Sequence, residues 1–182
     1  MNNRIKSRRL FFALWPGEQT RQAILETLSQ LPQQSKARAI APPNLHITLH
    51  FVGQVSAEVE DCMHIAASSI NSTAFEMDMD CLGHFSKAKI FWMGCQKPPI
   101  VLTQLHKELG KALGECGHQC DERIYSPHLT LMRKCDKSDY RKLIANQPHF
   151  SIPWVVEEFV LVESLIDQQG ANYRVIEQYS LS

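Results

Sequence analysis

The sequence predicts an α+β fold with two lobes of antiparallel sheet, related by a pseudo-twofold axis, that face each other across a central cleft. Residues 45–51 alternate apolar and polar side chains, which is typical of a half-buried strand. Within this stretch, residues 46–49 read His-x-Thr-Leu. Residues 127–131 repeat the His-x-Thr-Leu pattern, with the second histidine 82 positions after the first. Both copies follow a helical pattern, and we expect these helices to pack on the outer faces of the lobes.

The order of these segments indicates an internal repeat. The strand-like stretches that precede the two copies, 8–15 and 87–94, are 79 positions apart, close to the offset between the histidines. We therefore expect one two-lobed domain spanning residues 1–182, with β-α-β units at about 8–53 and 87–133.

The first half of the chain gives clear signals for its elements. The apolar run Leu10–Trp15, closed by Pro16, predicts a central strand. Residues 18–31 carry apolar side chains at helical spacing and predict a helix. The first His-x-Thr strand follows and is expected to end at Gly53.

The remaining elements are predicted from the same periodicities. Gly117 is a suitable C-cap for the longest helix. The predicted helices are 57–70, 98–117 and 138–145; the predicted strands are 75–82, 87–94, 125–133, 154–163 and 173–181; turns are expected at 83–86 and 168–170.

Composition excludes several classes of protein. The chain has 19 basic and 19 acidic residues, so nothing in its total charge predicts tight nonspecific binding to a polyanion. No apolar run approaches the roughly 18 residues of a membrane span, and the N-terminus lacks the apolar core of a signal peptide. We expect a soluble, cytoplasmic protein with no membrane partner.

The six cysteines are scattered through a chain large enough to fold without disulfides, so free thiols are expected. Cys116 and Cys120 resemble half of a zinc site, but no second pair completes a tetrahedral set. The acidic face of strand 75–82 is more typical of a solvated surface than of a metal site. No metal and no cofactor are predicted.

The paired motifs suit acid–base chemistry at phosphorus. Residues i and i+2 of a strand share a face, so His46 and Thr48 should point into the cleft, as should His128 and Thr130. Two histidines can donate and accept protons in one turnover, and threonine hydroxyls can hold nonbridging oxygens. The G-x-S-x-G elbow and the G-x-x-x-x-G-K-[ST] phosphate loop are absent, which disfavours the competing chemistries.

The motifs resemble those of the two-histidine phosphoesterase superfamily. The flanking sequences resemble its bacterial RNA 2',3'-cyclic phosphodiesterase branch, also called 2'-5' RNA ligases. The resemblance covers nearly the whole chain and is carried by residues 9–14, 46–53, 83–85, 90–94 and 126–133, by Glu163 and Ser164, and by Gly170 and Tyr173.

The resemblance implies metal-independent hydrolysis of RNA 2',3'-cyclic phosphate ends to 2'-phosphate ends. His46 would be the proton donor and His128 the proton acceptor, while Thr48 and Thr130 would hold the phosphate. The family also implies a phosphate contact by Arg133, although regular strand alternation would turn this side chain away from His128.

Some questions stay open from the sequence. His50 has the parity of His46 and either tunes it or is a bystander. Phe11, Phe85 and Tyr125 either stack a terminal base or belong to the core.

The expected partners are RNA 3' ends with a cyclic phosphate, tRNA-derived fragments among them, and no obligate protein partner is inferred. The alternatives are a reversible 2'-5' RNA ligase or 2'-5' phosphodiesterase, and an RNA-end-binding module without turnover.

Overall fold

A computed structural model describes residues 7–32, 37–120, 123–145, 149–167 and 170–182. The helices in this part of the chain are α1 (Glu18–Ser29), α2 (Ala57–Ser68), α3 (Ile100–Glu115) and α4 (Lys137–Ile144), with a 3-10 turn at Pro42–Asn44. The strands are β1 (Arg8–Leu14), β2 (Arg38–Ala39), β3 (Ile47–Val55), β4 (Phe75–Met79), β5 (Cys81–Phe85), β6 (Ile90–Gly94), β7 (Leu129–Arg133), β8 (Ile152–Val156), β9 (Glu158–Asp167) and β10 (Gly170–Ser180).

Antiparallel pairing organises the strands. The main sheet has the order β10-β9-β1-β3-β7-β6-β5, with β2 paired to β7, and β4 and β8 form a second sheet of two strands. This confirms the predicted α+β class. The two halves of the main sheet meet between β3 and β7 at one paired position, Ile47 opposite Leu129. The predicted two lobes are thus halves of one continuous sheet.

Both halves carry a bulge at the same place in the motif. The register between β1 and β3 shifts at Leu49, and the register between β6 and β7 shifts at Leu131. Each of these leucines directly follows the threonine of a His-x-Thr pair. A bulge adds one residue to a strand and so reverses the facing of the side chains beyond it.

The core lies between the sheet and the helices. One cluster of buried apolar side chains joins both halves of the sheet to the helices, and α3 contributes a fully buried stripe of Leu102, Leu105, Leu109 and Leu113. A smaller cluster on the other side of β1 contains Phe11, Ala13, Val160 and Val162. The face of the sheet that carries Phe11 therefore has only this small apolar patch, whereas the opposite face carries the main core.

Several of the predicted boundaries are wrong. The predicted strand 75–82 is split, since β4 pairs with β8 in the small sheet whereas Cys81 and Leu82 belong to β5 of the main sheet. Gly53 does not end its strand: it adopts a positive φ of 86° at a second register shift, and β3 continues to Val55. Residues 83–85 belong to β5 and pair with β6, and the turn lies at 86–89. The stretch 154–163 is split, since β8 pairs with β4 whereas β9 pairs with β1. The predicted turn at 168–170 falls largely on residues outside the described part of the chain.

The expectation of free thiols is wrong for two of the six cysteines. Cys62 of α2 and Cys116 at the end of α3 form a disulfide with a Cα–Cα distance of 5.8 Å. The helices pack against each other, which brings together two cysteines 54 positions apart in the chain. The free cysteines are Cys81, Cys95, Cys120 and Cys135.

None of the helices in the described ranges is long and apolar enough to cross a membrane.

Candidate active site

A cavity of about 610 Å3 opens beside the junction of β3 and β7. It is lined by all five residues that the sequence predicts for the site, His46, Thr48, His128, Thr130 and Arg133. The β3–β7 pairing brings the two motifs together, because each lies at the start of one of these adjacent strands.

His46 is held by hydrogen bonds at both ring nitrogens. Its Nδ1 lies 2.7 Å from the backbone oxygen of Asn44, and its Nε2 lies 3.1 Å from Oγ1 of Thr48. Since a carbonyl oxygen can only accept, Nδ1 carries a proton and donates it to Asn44. In the neutral ring Nε2 therefore has the lone pair and accepts from the Thr48 hydroxyl.

Aromatic side chains surround the His46 ring. Trp15 stacks on it with ring centroids 5.4 Å apart and an interplanar angle of 12°. Phe11 lies at 5.0 Å, and Tyr173 meets the ring edge-on at 5.3 Å. This burial lowers the pKa of His46 to about 4, with a further lowering by the nearby positive charge of Arg133.

His128 repeats the arrangement of His46. Its Nδ1 lies 2.8 Å from the backbone oxygen of Ser126, again two residues earlier in the chain. Phe85 packs edge-on against the ring at 4.8 Å, and Trp92 lies 6.3 Å away. Burial lowers the pKa of His128 as well. Its neutral form therefore presents a lone pair at Nε2.

Arg133 lines the cavity in spite of its sequence parity. Regular alternation would have turned it away from Thr130, but the bulge at Leu131 reverses the side-chain facing beyond that point. Arg133 lines the same cavity as both rings, and its positive charge lowers the pKa of His46 and of His128. The structure thus brings Arg133 to the cavity, which strand alternation alone does not predict.

His50 is separated from His46 by the corresponding bulge at Leu49. It is buried, its Nε2 lies 2.7 Å from the backbone oxygen of His106, and its ring stacks on the His106 ring at 4.2 Å. It lines a second, larger cavity and does not line the cavity of His46. The assumption that His50 shares the face of His46 is wrong.

The larger cavity, of about 1270 Å3, adjoins the first and shares Thr48 and His128 with it. Phe85 and Tyr125 are half-buried and line this space, so they are accessible to a ligand. Phe11 is only 3 % exposed and belongs to the small apolar cluster on its side of β1.

Sequence reasoning missed the supporting residues. Asn44 and Ser126 act through backbone oxygens, which carry no side-chain signature, although each stands two positions before a motif histidine. Trp15 and Tyr173 come from opposite ends of the chain and meet only in the folded sheet.

A sheet that presents two His-x-Thr pairs to one cavity defines the class of two-histidine phosphoesterases. Residues 16–168 match the model of the 2'-5' RNA ligase superfamily, and the chain belongs to this family.

Known relatives agree with this assignment. The chain is 30% identical over 175 residues to the RNA 2',3'-cyclic phosphodiesterase of Escherichia coli K12, covering 96% of this chain and 97% of the relative. It is 25% identical to the enzyme of the same name from Thermotoga maritima, covering 92% of each chain. The crystal structure of E. coli LigT complexed with 3'-AMP superposes with a TM-score of 0.88 at 28% identity, covering 97% of this chain and 99% of that one.

Proposed function

We propose that this protein hydrolyses 2',3'-cyclic phosphate ends of RNA to 2'-phosphate ends, by paired histidine catalysis without a metal. The observation that carries the proposal is the matched setting of His46 and His128. Both rings line one cavity, and both are held through Nδ1 so that Nε2 is the nitrogen available to a substrate. The names of the relatives support the cyclic phosphate as substrate.

In the proposed reaction, water attacks the phosphorus as the bond to the 3' oxygen breaks. Nε2 of neutral His128 accepts the proton of the attacking water. Protonated His46 donates the proton on Nε2 to the leaving 3' oxygen, which becomes a hydroxyl. The phosphate stays on the 2' oxygen, and proton exchange with solvent restores both rings.

Three side chains would hold the phosphate during this step. Thr48, Thr130 and Arg133 all line the cavity. The two threonine hydroxyls would donate to the nonbridging oxygens, and the guanidinium of Arg133 would offset their negative charge. Thr48 lies within hydrogen-bonding distance of Nε2 of His46 in the free protein. A bound phosphate would therefore replace this internal contact.

The lining of the cavity supports a reaction without metal. Among the described residues that line it there is no carboxylate and no thiol, which are the common ligands of catalytic metals besides histidine. The two histidines, two threonines and one arginine already provide an acid, a base and anion-binding groups.

We further propose RNA 3' ends in the cytoplasm, including tRNA-derived fragments, as the natural substrates.

We also propose that the chain is a single domain with an internal repeat. It is supported by the matching bulges at Leu49 and Leu131 and by the matching ring contacts of the two histidines.

A second candidate activity is reversible 2'-5' joining of RNA ends. A 5'-hydroxyl would replace water as the attacking group, which requires space beside the base, His128. The cavity of about 1270 Å3 that shares His128 with the first provides space for a second nucleotide. Cleavage of 2'-5'-linked dinucleotides would support this activity.

The test of the main proposal uses an RNA oligonucleotide with a 2',3'-cyclic phosphate end. H46A and H128A should each lower kcat/KM by roughly 10² to 10⁴, the usual contribution of a general acid or base. H149A is the matched control, since His149 is exposed and does not line either cavity. Activity within a few fold of wild type in H46A or H128A would refute the assignment.

A further inference from the structure

Three side chains of types that commonly bind metals lie close together outside the cavity that contains the paired histidines. His50 lies on β3, whereas His118 and Cys120 follow the end of α3. One nitrogen of each histidine and the sulfur of Cys120 lie within 4.8 Å of one another. We propose that these three residues form a binding site for a single Zn²⁺ or a similar transition-metal ion.

The ligand set suits zinc. Two imidazoles and one thiolate are typical zinc ligands, and three protein ligands leave the fourth tetrahedral position to water. Metal–ligand bonds of about 2.0–2.3 Å imply separations of about 3.3–3.7 Å between ligand atoms in a tetrahedral site. The three side chains would therefore need to close by about 1 Å, which lies within the reach of an exposed residue such as Cys120.

The surroundings hold His50 and His118 in place without a metal. The Nε2–H group of His50 donates to the backbone oxygen of His106, and such a second hydrogen bond is the usual way in which proteins orient a histidine ligand. The His118 ring meets the His50 ring edge-on at 5.7 Å. The backbone amide of His118 donates to the oxygen of Leu113, at the end of α3.

Gly110 of α3 makes room for this cluster. A Cβ atom at this position would lie 2.7 Å from Cε1 of His50, closer than real Cβ contacts, and 3.0 Å from Sγ of Cys120, tighter than most of them. The thiol of Cys120 also lies 3.1 Å from the backbone oxygen of Gly110. The absence of a side chain at position 110 is thus what permits a residue from β3 and one from beyond α3 to meet on this helix.

A bound ion would connect two parts of the fold that lead to the proposed catalytic histidines. His50 lies four positions after His46 on the first motif strand, and Cys120 lies eight positions before His128. The disulfide at Cys116 already fixes the start of this connection to α2. We therefore assign the ion a structural role, in holding residues 118–120 against β3.

The inference stands apart from the proposed hydrolysis, in which no metal takes part. Absence of zinc binding would leave the chemistry assigned to the two histidines standing, and failure of the hydrolysis assay would leave the zinc measurement valid. The two proposals can therefore fail independently.

The test is metal titration of the full-length protein after chelator treatment and dialysis, with the free thiols counted beforehand. We expect the wild type to bind one Zn²⁺ per chain in competition with a chromophoric chelator, and to show a thiolate-to-cobalt charge-transfer band with Co²⁺. C120S and H118A should each weaken zinc binding at least tenfold, whereas C95S, which removes another free thiol, should not change it.

Thermal unfolding provides a second readout of zinc binding that does not use the chromophoric chelator. Zinc should raise the midpoint of the wild type and of C95S but not that of C120S, because only a ligand that binds the folded state stabilises it. The proposal is overturned by a wild type that binds no stoichiometric zinc, by the absence of the charge-transfer band, or by equal zinc affinity in C120S.

Discussion

His46 and His128 make the same backbone contact: Nδ1 of each ring lies within 2.8 Å of the carbonyl oxygen two residues earlier, that of Asn44 or Ser126. The contact leaves Nε2 of each ring for the substrate. Yet the rings differ in their packing, since three aromatic side chains surround His46. The two histidines are therefore alike in orientation and unlike in environment, as an acid and a base in one site require.

The lowered pKa of His46 leads to a prediction for the pH dependence. With a pKa of about 4, caused mainly by burial, the ring is neutral at pH 7 in the free protein and cannot donate a second proton. A phosphate anion beside the ring favours the charged form and raises this pKa. The kcat/KM profile reports the pKa of His46 in the free enzyme, and the kcat profile reports it in the enzyme–substrate complex. The pKa of His46 should therefore be higher in the kcat profile.

Nuclear magnetic resonance can follow the same pKa directly. The His46 ring should titrate near pH 4 in the free protein and at a clearly higher pH when inorganic phosphate is bound. Titration of His46 at the same pH with and without phosphate would contradict its proposed role as the proton donor.

Thr130 should contribute to the transition state. T130V removes a hydroxyl donor while it retains the shape of the side chain, and loss of one such donor typically costs about 10² in kcat. T130S restores the hydroxyl and should recover most of the rate. If T130V and T130S were equally active, Thr130 would have no role as a donor to the phosphate.

Arg133 is predicted to act through its charge. R133M should lower kcat/KM by roughly 10- to 100-fold, since hydrogen bonds to charged groups contribute about 1.5–3 kcal/mol. It should also raise the pKa of His46 and of His128, because the Arg133 charge lowers both. R141M is the matched control, as Arg141 is exposed on α4. Unchanged histidine pKa values in R133M would contradict the geometry.

The disulfide should add to the stability of the fold. It closes a loop between residues 54 positions apart, for which chain entropy gives about 4 kcal/mol of stabilisation. The double variant C62S/C116S should lower the free energy of unfolding measured in urea by up to this amount. C81S, which removes a free thiol, serves as the control. Equal stability of the double variant and the control would show that the bridge does not constrain the chain.

The sequence was sufficient for the α+β class and for the two motif strands, because their alternation is a local signal. The bulges at Leu49 and Leu131 could not be predicted, since they depend on the pairing of each strand with a neighbour far away in the chain. Without the bulges, strand alternation turns Arg133 away from the site and puts His50 on the face of His46. The structure shows the opposite for both residues.

Contacts between distant segments account for the other differences. The disulfide forms because α2 packs on α3, and the cluster of His50, His118 and Cys120 forms because β3 lies next to the end of α3. In the sequence, Cys120 belongs to an incomplete set of zinc ligands. His50, the third residue of the cluster, lies 70 positions earlier, so no local spacing reveals it. Such clusters become visible only when the topology is known.

The most direct test of the central claim is to identify the product end formed from a cyclic-phosphate RNA oligonucleotide when the wild-type protein acts in the presence of a metal chelator. We expect complete conversion to a 2'-phosphate with a free 3'-hydroxyl, at a rate that the chelator does not change. A 3'-phosphate product would contradict the assignment of the leaving oxygen to His46. Loss of activity in chelator by C120S, which lacks a ligand of the proposed zinc site, would contradict catalysis by the histidine pair alone.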